Sequence, residues 1–90
     1  MDELALDRPS YDPEADAIYV PFRPDLEFAR TAHLDHRRHV DYDARGVVIG
    51  VELLHVRDGV DLDGLPDPER IAGVLAGFGI AAREARPQGS

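Results

Sequence analysis

The chain has 90 residues, of which 43% are hydrophobic, and its formal net charge at pH 7 is −8. A chain of this length forms one domain with a thin core, and its negative charge disfavours binding to the phosphate backbone of nucleic acids. The sequence contains neither cysteine nor lysine, which excludes disulfides, a phosphate-loop lysine, a Schiff-base lysine and a Ser-Lys dyad.

The sequence as it stands predicts neither export nor membrane insertion. Its first nine residues, MDELALDRP, lack the basic segment followed by an apolar stretch that a signal peptide needs. No apolar run approaches the roughly 18 residues of a membrane span. Together with the absence of cysteine, these features predict a cytoplasmic protein that binds neither membranes nor nucleic acid.

The first structural signal is an acidic turn followed by an alternating segment. Residues 12–15, DPEA, match a type I turn in which the aspartate accepts backbone N–H groups and the proline presets φ. Residues 17–22 alternate in the manner of a half-buried strand, and Pro21 ends this strand or marks an edge. Residues 4–11 predict its hairpin partner, which Pro9 places at the sheet edge.

Three further strands are predicted after this hairpin. Residues 28–35 alternate, with Phe28, Ala32 and Leu34 on one side, and residues 39–43 alternate again. The sequence DARG predicts a type I turn that closes on a left-handed glycine. The next segment, 47–55, predicts a strand with one apolar face, formed by Val47, Ile49, Val51 and Leu53. Three tyrosines are expected to fill the core or cross-strand pairs, namely Tyr11, Tyr19 and Tyr42.

The C-terminal part predicts a polar connection and one helix. Residues 57–66 are polar, with apolar anchors at Val60, Leu62 and Leu65. A helix is predicted at about 67–78, because Asp67 can cap it, Pro68 suits its first turn and Gly79 can end it. Its apolar stripe consists of Ile71, Val74, Leu75 and Phe78.

These elements predict the fold class α+β. We expect an antiparallel sheet of four or five strands in meander order, with the C-terminal helix packed on it. Residues 1–80 would form this single domain, and residues 81–90 a flexible tail.

Four histidines are the residues most suggestive of a metal site, since imidazole is a common zinc ligand. They are His33, His36, His39 and His55. On a strand, positions i and i+3 point to opposite faces, so His36 and His39 would share an ion only across a turn. A site also needs ligands that converge from elsewhere. We therefore predict solvent-exposed or core-edge histidines, with no bound metal or cofactor.

Two groups of carboxylates could carry out acid–base chemistry. Asp41 and Asp43 are predicted to share a strand face, and Asp12, Glu14 and Asp16 crowd the first turn. In a chain this acidic, turn formation and solubility are the favoured roles for such residues.

Two sequence motifs carry a family resemblance. The pattern Y-D-x-x-x-D-x-L/I-Y-I/V is matched by Tyr11, Asp12, Asp16, Ile18, Tyr19 and Val20. The pattern V-D-x-D-x-x-G-x-V-x-G-I/V-E-I/L is matched by Val40, Asp41, Asp43, Gly46, Val48, Gly50, Val51, Glu52 and Leu53. Over about residues 8–55 the chain therefore resembles domain of unknown function 2283, a family of small bacterial and archaeal proteins.

The resemblance implies a compact antiparallel β domain and no particular activity. The segment RPDLEFART, the HRRH insert and the C-terminal helix depart from the family pattern. We predict a structural role for ten residues, which are motif positions and the proline of the acidic turn. They are Tyr11, Asp12, Pro13, Asp16, Tyr19, Asp41, Asp43, Gly46, Gly50 and Glu52.

Three functional hypotheses follow. The leading one is a non-catalytic interaction or regulatory module that forms a homo-oligomer and can bind another protein, because the core is thin and no catalytic set converges. The second is a metal-assisted or carboxylate-dependent enzyme that uses the histidine group or Asp41 and Asp43. The third is an antitoxin-like partner of a basic protein, based on acidity and small size.

Overall fold

The structure, a computed structural model, describes residues 8–83. Within this range the chain forms one helix, α1 (Pro68–Gly77), and a 3-10 turn, Val56–Asp58. The strands are β1 (Ser10–Asp12), β2 (Ala17–Pro21), β3 (Arg30–Asp35), β4 (Arg38–Tyr42), β5 (Val48–Leu54), β6 (Val60–Asp61) and β7 (Ala82–Arg83). Strands β1 to β5 form one antiparallel sheet, and β6 and β7 form a parallel pair. The predicted α+β class is confirmed, and the antiparallel sheet, predicted to have four or five strands, has five.

The order of the strands differs from the predicted meander. It is β1-β2-β5-β4-β3, so β2 pairs with β5 instead of β3. Residues 22–29 cross around one end of the sheet, where the amides of Phe22 and Arg23 donate to the Ile49 carbonyl at 2.8 and 3.0 Å. This order places the long apolar strand β5 at the centre, whereas a meander would leave it at an edge with one side unpaired.

One face of the sheet carries the core. The core cluster consists of Ile18, Val20, Val40, Val51, Leu53, Val56, Val60, Leu62, Leu65, Ile71 and Leu75. The apolar anchors predicted at 60, 62 and 65 are therefore buried, and α1 buries Ile71 and Leu75 against the sheet. Asp67 caps α1 as predicted, because its side chain accepts the Arg70 amide. Phe78, at the end of the apolar stripe, packs on Tyr11 with a ring separation of 5.8 Å.

A β-bulge makes part of the predicted strand pattern wrong. Asp41 pairs with Gly50 and Tyr42 pairs with Val48, so Ile49 is an extra residue on β5. An extra residue reverses the alternation of side chains. Val48 consequently packs on the core, whereas Ile49 is buried outside the core cluster and Val47 is 37% exposed.

The two ends of the described chain lie at strands. β1 is an edge strand beside β2, as predicted from Pro9, although residues 4–7 of the predicted strand lie outside the described range. Ala82–Arg83, which the sequence analysis placed in the tail, form β7 through backbone bonds such as Leu62 amide to Arg83 carbonyl at 2.8 Å. Backbone pairing requires no apolar side chain, so the sequence gives no sign of it. The rest of the predicted tail, 84–90, is outside the described residues.

No helix within residues 8–83 is long and apolar enough to cross a membrane.

Candidate functional site

A row of polar side chains crosses the face of the sheet opposite α1. Cross-strand pairing sets Ser10 opposite Tyr19, Tyr19 opposite Glu52, Glu52 opposite His39 and His39 opposite His33. Residues that lie directly opposite each other on neighbouring strands point to the same face. We call this surface the open face. It includes the adjacent row formed by Pro21, Gly50, Asp41 and Thr31.

Three contacts connect the polar groups of the open face. The rings of His33 and His39 stack with their centroids 4.1 Å apart. On its other side, His39 Nδ1 lies 3.3 Å from Glu52 Oε1. Thr31 Oγ1 donates to Asp41 Oδ1 at 2.7 Å. The arrangement orients His39 and Asp41 through neighbouring side chains, so it could bind a polar ligand or help to hold a proton.

Tyr19 occupies the centre of the open face because Gly50 leaves room for it. A Cβ atom added to Gly50 would overlap the Tyr19 hydroxyl oxygen and its attached ring carbon. Burial raises the pKa of the Tyr19 phenol, and the carboxylates of Asp41 and Glu52 raise this pKa further. The hydroxyl therefore stays protonated at neutral pH and can donate a hydrogen bond. The expectation that Tyr19 belongs to a cross-strand pair is confirmed, whereas Tyr11 and Tyr42 pack against the core.

An apolar cleft adjoins Tyr19. Its volume is about 360 Å³, and its lining is Tyr19, Pro21, Arg23, Pro24, Leu26, Phe28 and Ile49. Phe28 lies before β3 and is 57% exposed, so the expected apolar side of residues 28–35 is not a core face. This cleft could not be predicted from the sequence, because it requires the bulge that turns Ile49 outward and the crossing of residues 22–29. The only sequence feature that indicated an apolar surface here was the combination of proline, leucine and phenylalanine in residues 22–29.

The structure divides the four histidines into two separate pairs. His33 stacks on His39, while the rings of His36 and His55 lie 6.4 Å apart. The suggested sharing of an ion by His36 and His39 across a turn is therefore not the arrangement found. Within residues 8–83, no three side chains of the His, Cys, Asp and Glu types are grouped to hold a metal ion.

The acidic turn is held by its own carboxylates. Asp12 Oδ1 accepts the amides of Glu14 and Ala15 at 3.0 and 3.3 Å, as the turn prediction requires. Asp16, with φ of 55°, accepts the Arg57 amide at 3.2 Å, and Arg57 Nη2 donates to the Pro13 carbonyl at 2.8 Å. These bonds join the turn to the 3-10 turn at 56–58, which is a structural role for Asp12, Pro13 and Asp16.

Asp41 and Asp43 serve different groups. Asp41 faces Thr31, whereas the buried Asp43 carboxylate accepts the amides of Arg45 and Val47 at 2.9 and 2.8 Å. The turn between them and β5 closes on Gly46 with φ of 87°, as predicted. Asp43 therefore holds the β4–β5 turn, whereas Asp41 bonds to Thr31 on the open face.

We expect Asp43→Ala to lower the free energy of unfolding by about 1–3 kcal/mol, because two amides lose their acceptor. Chemical denaturation followed by circular dichroism measures this change. Asp25→Ala is the matched control, since Asp25 is exposed and bonds only to Arg23 in the described structure; its expected change is within about 0.5 kcal/mol. Equal losses in the two variants would contradict the assigned role of Asp43.

Comparison with known proteins identifies the family. Residues 9–57 match the family described as "Protein of unknown function (DUF2283)". The chain belongs to this family. No curated protein and no solved structure matches it. The DUF2283 match covers β1 to β5, whereas β6, α1 and β7, which cover the core face, lie beyond it. Of the motif residues, Tyr19, Asp41, Gly50 and Glu52 meet on the open face. Asp12 ends β1 at the acidic turn, and Asp16, Asp43 and Gly46 lie in the connections between strands.

Proposed function

We propose that this DUF2283 protein is a non-catalytic interaction module that binds a second copy of itself through the open face. The observation that supports this proposal is the apolar cleft beside Tyr19, with Phe28 exposed on its wall. Exposed aromatic side chains next to a cleft are characteristic of the anchors of protein interfaces. Covering this cleft would also help a chain whose own core is thin.

A second copy is the occupant that fits the geometry best. A two-fold interface uses the same patch on both molecules, so the patch must contain both an inserting group and a receiving surface. The open face contains both, since Phe28 projects from the wall of the cleft that Tyr19 and Ile49 help to form. In the dimer, each Phe28 packs in the cleft of the other copy.

The polar groups of the open face also suit self-association. The whole chain carries a net charge of −8, so two copies repel each other over most of their surfaces. On the open face, however, the carboxylates have hydrogen-bonding neighbours, since Glu52 lies opposite His39 and Asp41 accepts a hydrogen bond from Thr31. A contact through this face therefore has an apolar centre at the cleft, and the row of polar side chains forms its rim.

The test is to place a charge on the proposed anchor. We expect Phe28→Asp to raise the dissociation constant of the dimer by roughly 30-fold or more, because truncating an interface anchor costs about 2 kcal/mol or more. Sedimentation velocity over a concentration series measures this constant. The matched control is Leu34→Asp, which makes the same kind of change at another exposed apolar residue, 43% exposed, near Gly64.

The outcomes separate the hypotheses. A dimer that weakens in Phe28→Asp and persists in Leu34→Asp supports the proposal. A wild-type protein that stays monomeric at every concentration overturns it, as does a dimer that is insensitive to Phe28→Asp. Copurification of a basic protein with the monomer would favour the antitoxin-like alternative instead.

A further inference from the structure

Three arginines line a second cleft, at the opposite end of β4 and β5 from the apolar cleft. Arg37 and Arg38 come from the β3–β4 turn and the start of β4, and Arg83 comes from β7. The cleft has a volume of about 240 Å³ and is also lined by Asp35, Gly59 and Asp61 among others. We call it the arginine cleft. In a chain with a net charge of −8, three guanidinium groups around one small space require an explanation.

Arg38 has a structural explanation. Its Nε and Nη2 atoms contact Asp35 Oδ2 at 3.0 and 2.9 Å, and its Nη1 donates to the carbonyls of Asp61 and Asp63. The hydrogen bond from Arg38 lowers the pKa of Asp35. With a side chain that is only 14% exposed, Arg38 attaches the loop after β6 to the sheet and forms a fixed wall of the cleft.

Arg37 and Arg83 have weaker partners. Both approach Asp58: Arg83 Nη1 donates to its carbonyl at 3.1 Å, and Arg37 Nη2 lies 3.5 Å from its carboxylate. The second distance exceeds that of a normal hydrogen bond, and the Asp58 side chain is 69% exposed. An exposed ion pair of this kind contributes little. Both guanidinium groups therefore line the same cleft beside one exposed residue that neutralises them only weakly.

The carboxylates that line the cleft are already engaged. Asp35 bonds to Arg38, and Asp61 Oδ1 accepts the Asp63 amide at 3.0 Å. Among the described residues of the lining, three guanidinium groups and these two carboxylates leave an excess of one positive charge, which the exposed Asp58 carboxylate beside Arg37 offsets only weakly. Gly59 helps to admit the third arginine, since its φ is +91° and a Cβ atom there would lie 2.8 Å from Arg83 Nη1.

We propose that the arginine cleft binds a phosphate group, with Arg37 and Arg83 as its ligands and Arg38 as the support that fixes the cleft. A phosphate oxyanion in the cleft neutralises the positive charge of the lining and accepts charge-assisted hydrogen bonds from both guanidinium groups. The volume admits a phosphate or the phosphate of a small monoester. This site is separate from the open face and does not depend on the proposed dimer.

A titration of the ¹⁵N-labelled full-length protein with inorganic phosphate, at constant ionic strength, tests this proposal by NMR. Saturable shifts are expected at the amides of residues 58–60 and 82–83. Arg37→Gln and Arg83→Gln should each weaken binding roughly tenfold or more, because each removes a charge-assisted hydrogen bond. Arg23→Gln is the control, as Arg23 is an exposed arginine paired with Asp25 outside the arginine cleft.

The same spectra show whether each variant is folded, through the unshifted signals of the core strands. A second titration with phenyl phosphate identifies the source of the phosphate group: tighter binding assigns a phosphate monoester, and equal or weaker binding assigns the free anion. The absence of saturable shifts in the wild-type protein would overturn the proposal. Unchanged phosphate binding in a folded Arg37→Gln, Arg83→Gln double variant would overturn it as well.

Discussion

Leu75→Ala is expected to lower the free energy of unfolding by about 2–5 kcal/mol. Leu75 is fully buried on α1, within the core cluster that joins the helix to the sheet. Removing its side chain loses the transfer free energy of the buried atoms and leaves a cavity that the neighbours fill only in part. Since small domains are stable by only about 5–15 kcal/mol in total, this one substitution removes a large fraction of the stability.

Urea denaturation followed by circular dichroism measures this loss. Val47→Ala is the control, because it also truncates an aliphatic side chain to alanine, but outside the core. Val47 lies in the turn before β5 and is 37% exposed. Its expected change is within about 0.5 kcal/mol. A loss below about 1 kcal/mol for Leu75→Ala would contradict this role of α1 and would indicate that the segment matching DUF2283, which ends before α1, supplies most of the stability.

The core residues of α1 and the turns were predicted well because their patterns are local. The helix stripe, its Asp67 cap and the acidic turn at Asp12 depend on residues two to four positions apart. Local spacing of this kind is visible in a sequence. The same is true of the β3–β4 and β4–β5 connections, which are short turns.

Longer-range features could not be predicted in this way. The pairing of β2 with β5 joins residues more than 28 positions apart, such as Val20 and Val51. Alternation shows that each segment is a strand and does not show which strands are neighbours. The bulge at Ile49 also has no distinct sequence signature, and it alone decides that this side chain joins the open face.

The residues of the candidate site were therefore identified from the sequence, whereas their convergence on one face of the sheet was not predicted. Tyr19, Asp41, Gly50 and Glu52 were identified through the family resemblance as structural positions. Their convergence requires the register of β2, β5 and β4, which the sequence does not specify. Phe28 was assigned to the apolar side of a strand, and the structure instead places it in the crossing segment on the wall of the apolar cleft.

The contact between Tyr19 and Gly50 leads to the second large effect. Gly50→Ala is expected to lower the free energy of unfolding by about 1–3 kcal/mol, as is usual when a methyl group is forced into occupied space. The new Cβ atom would overlap the hydroxyl end of Tyr19 and lie 3.0 Å from ring atom Cε1. The ring must therefore leave its position over β5 and move away from Asp41 and Glu52.

Two comparisons test whether the loss of stability comes from overlap between the new methyl group and the Tyr19 ring. In a Tyr19→Ala background, Gly50→Ala should cost less, by about 0.5–3 kcal/mol of coupling free energy, because the obstructing ring is absent. Gly73→Ala is the matched control at a glycine inside α1, where an added Cβ would have no neighbour within 4 Å. That variant should gain about 0.5–1 kcal/mol through the better helix propensity of alanine.

The titration of Tyr19 provides an independent measurement. Burial and the carboxylates of Asp41 and Glu52 raise the pKa of this phenol above its ordinary value of 10.0. In Gly50→Ala the ring moves out of that environment, so the pKa should fall toward the ordinary value. Carbon-13 NMR of the tyrosine Cζ signals follows this titration, with the Gly73→Ala variant as reference. A destabilised Gly50→Ala protein whose Tyr19 pKa stays raised would contradict this mechanism. It would show that β5 moves to accommodate the alanine and that the Tyr19 ring stays in place.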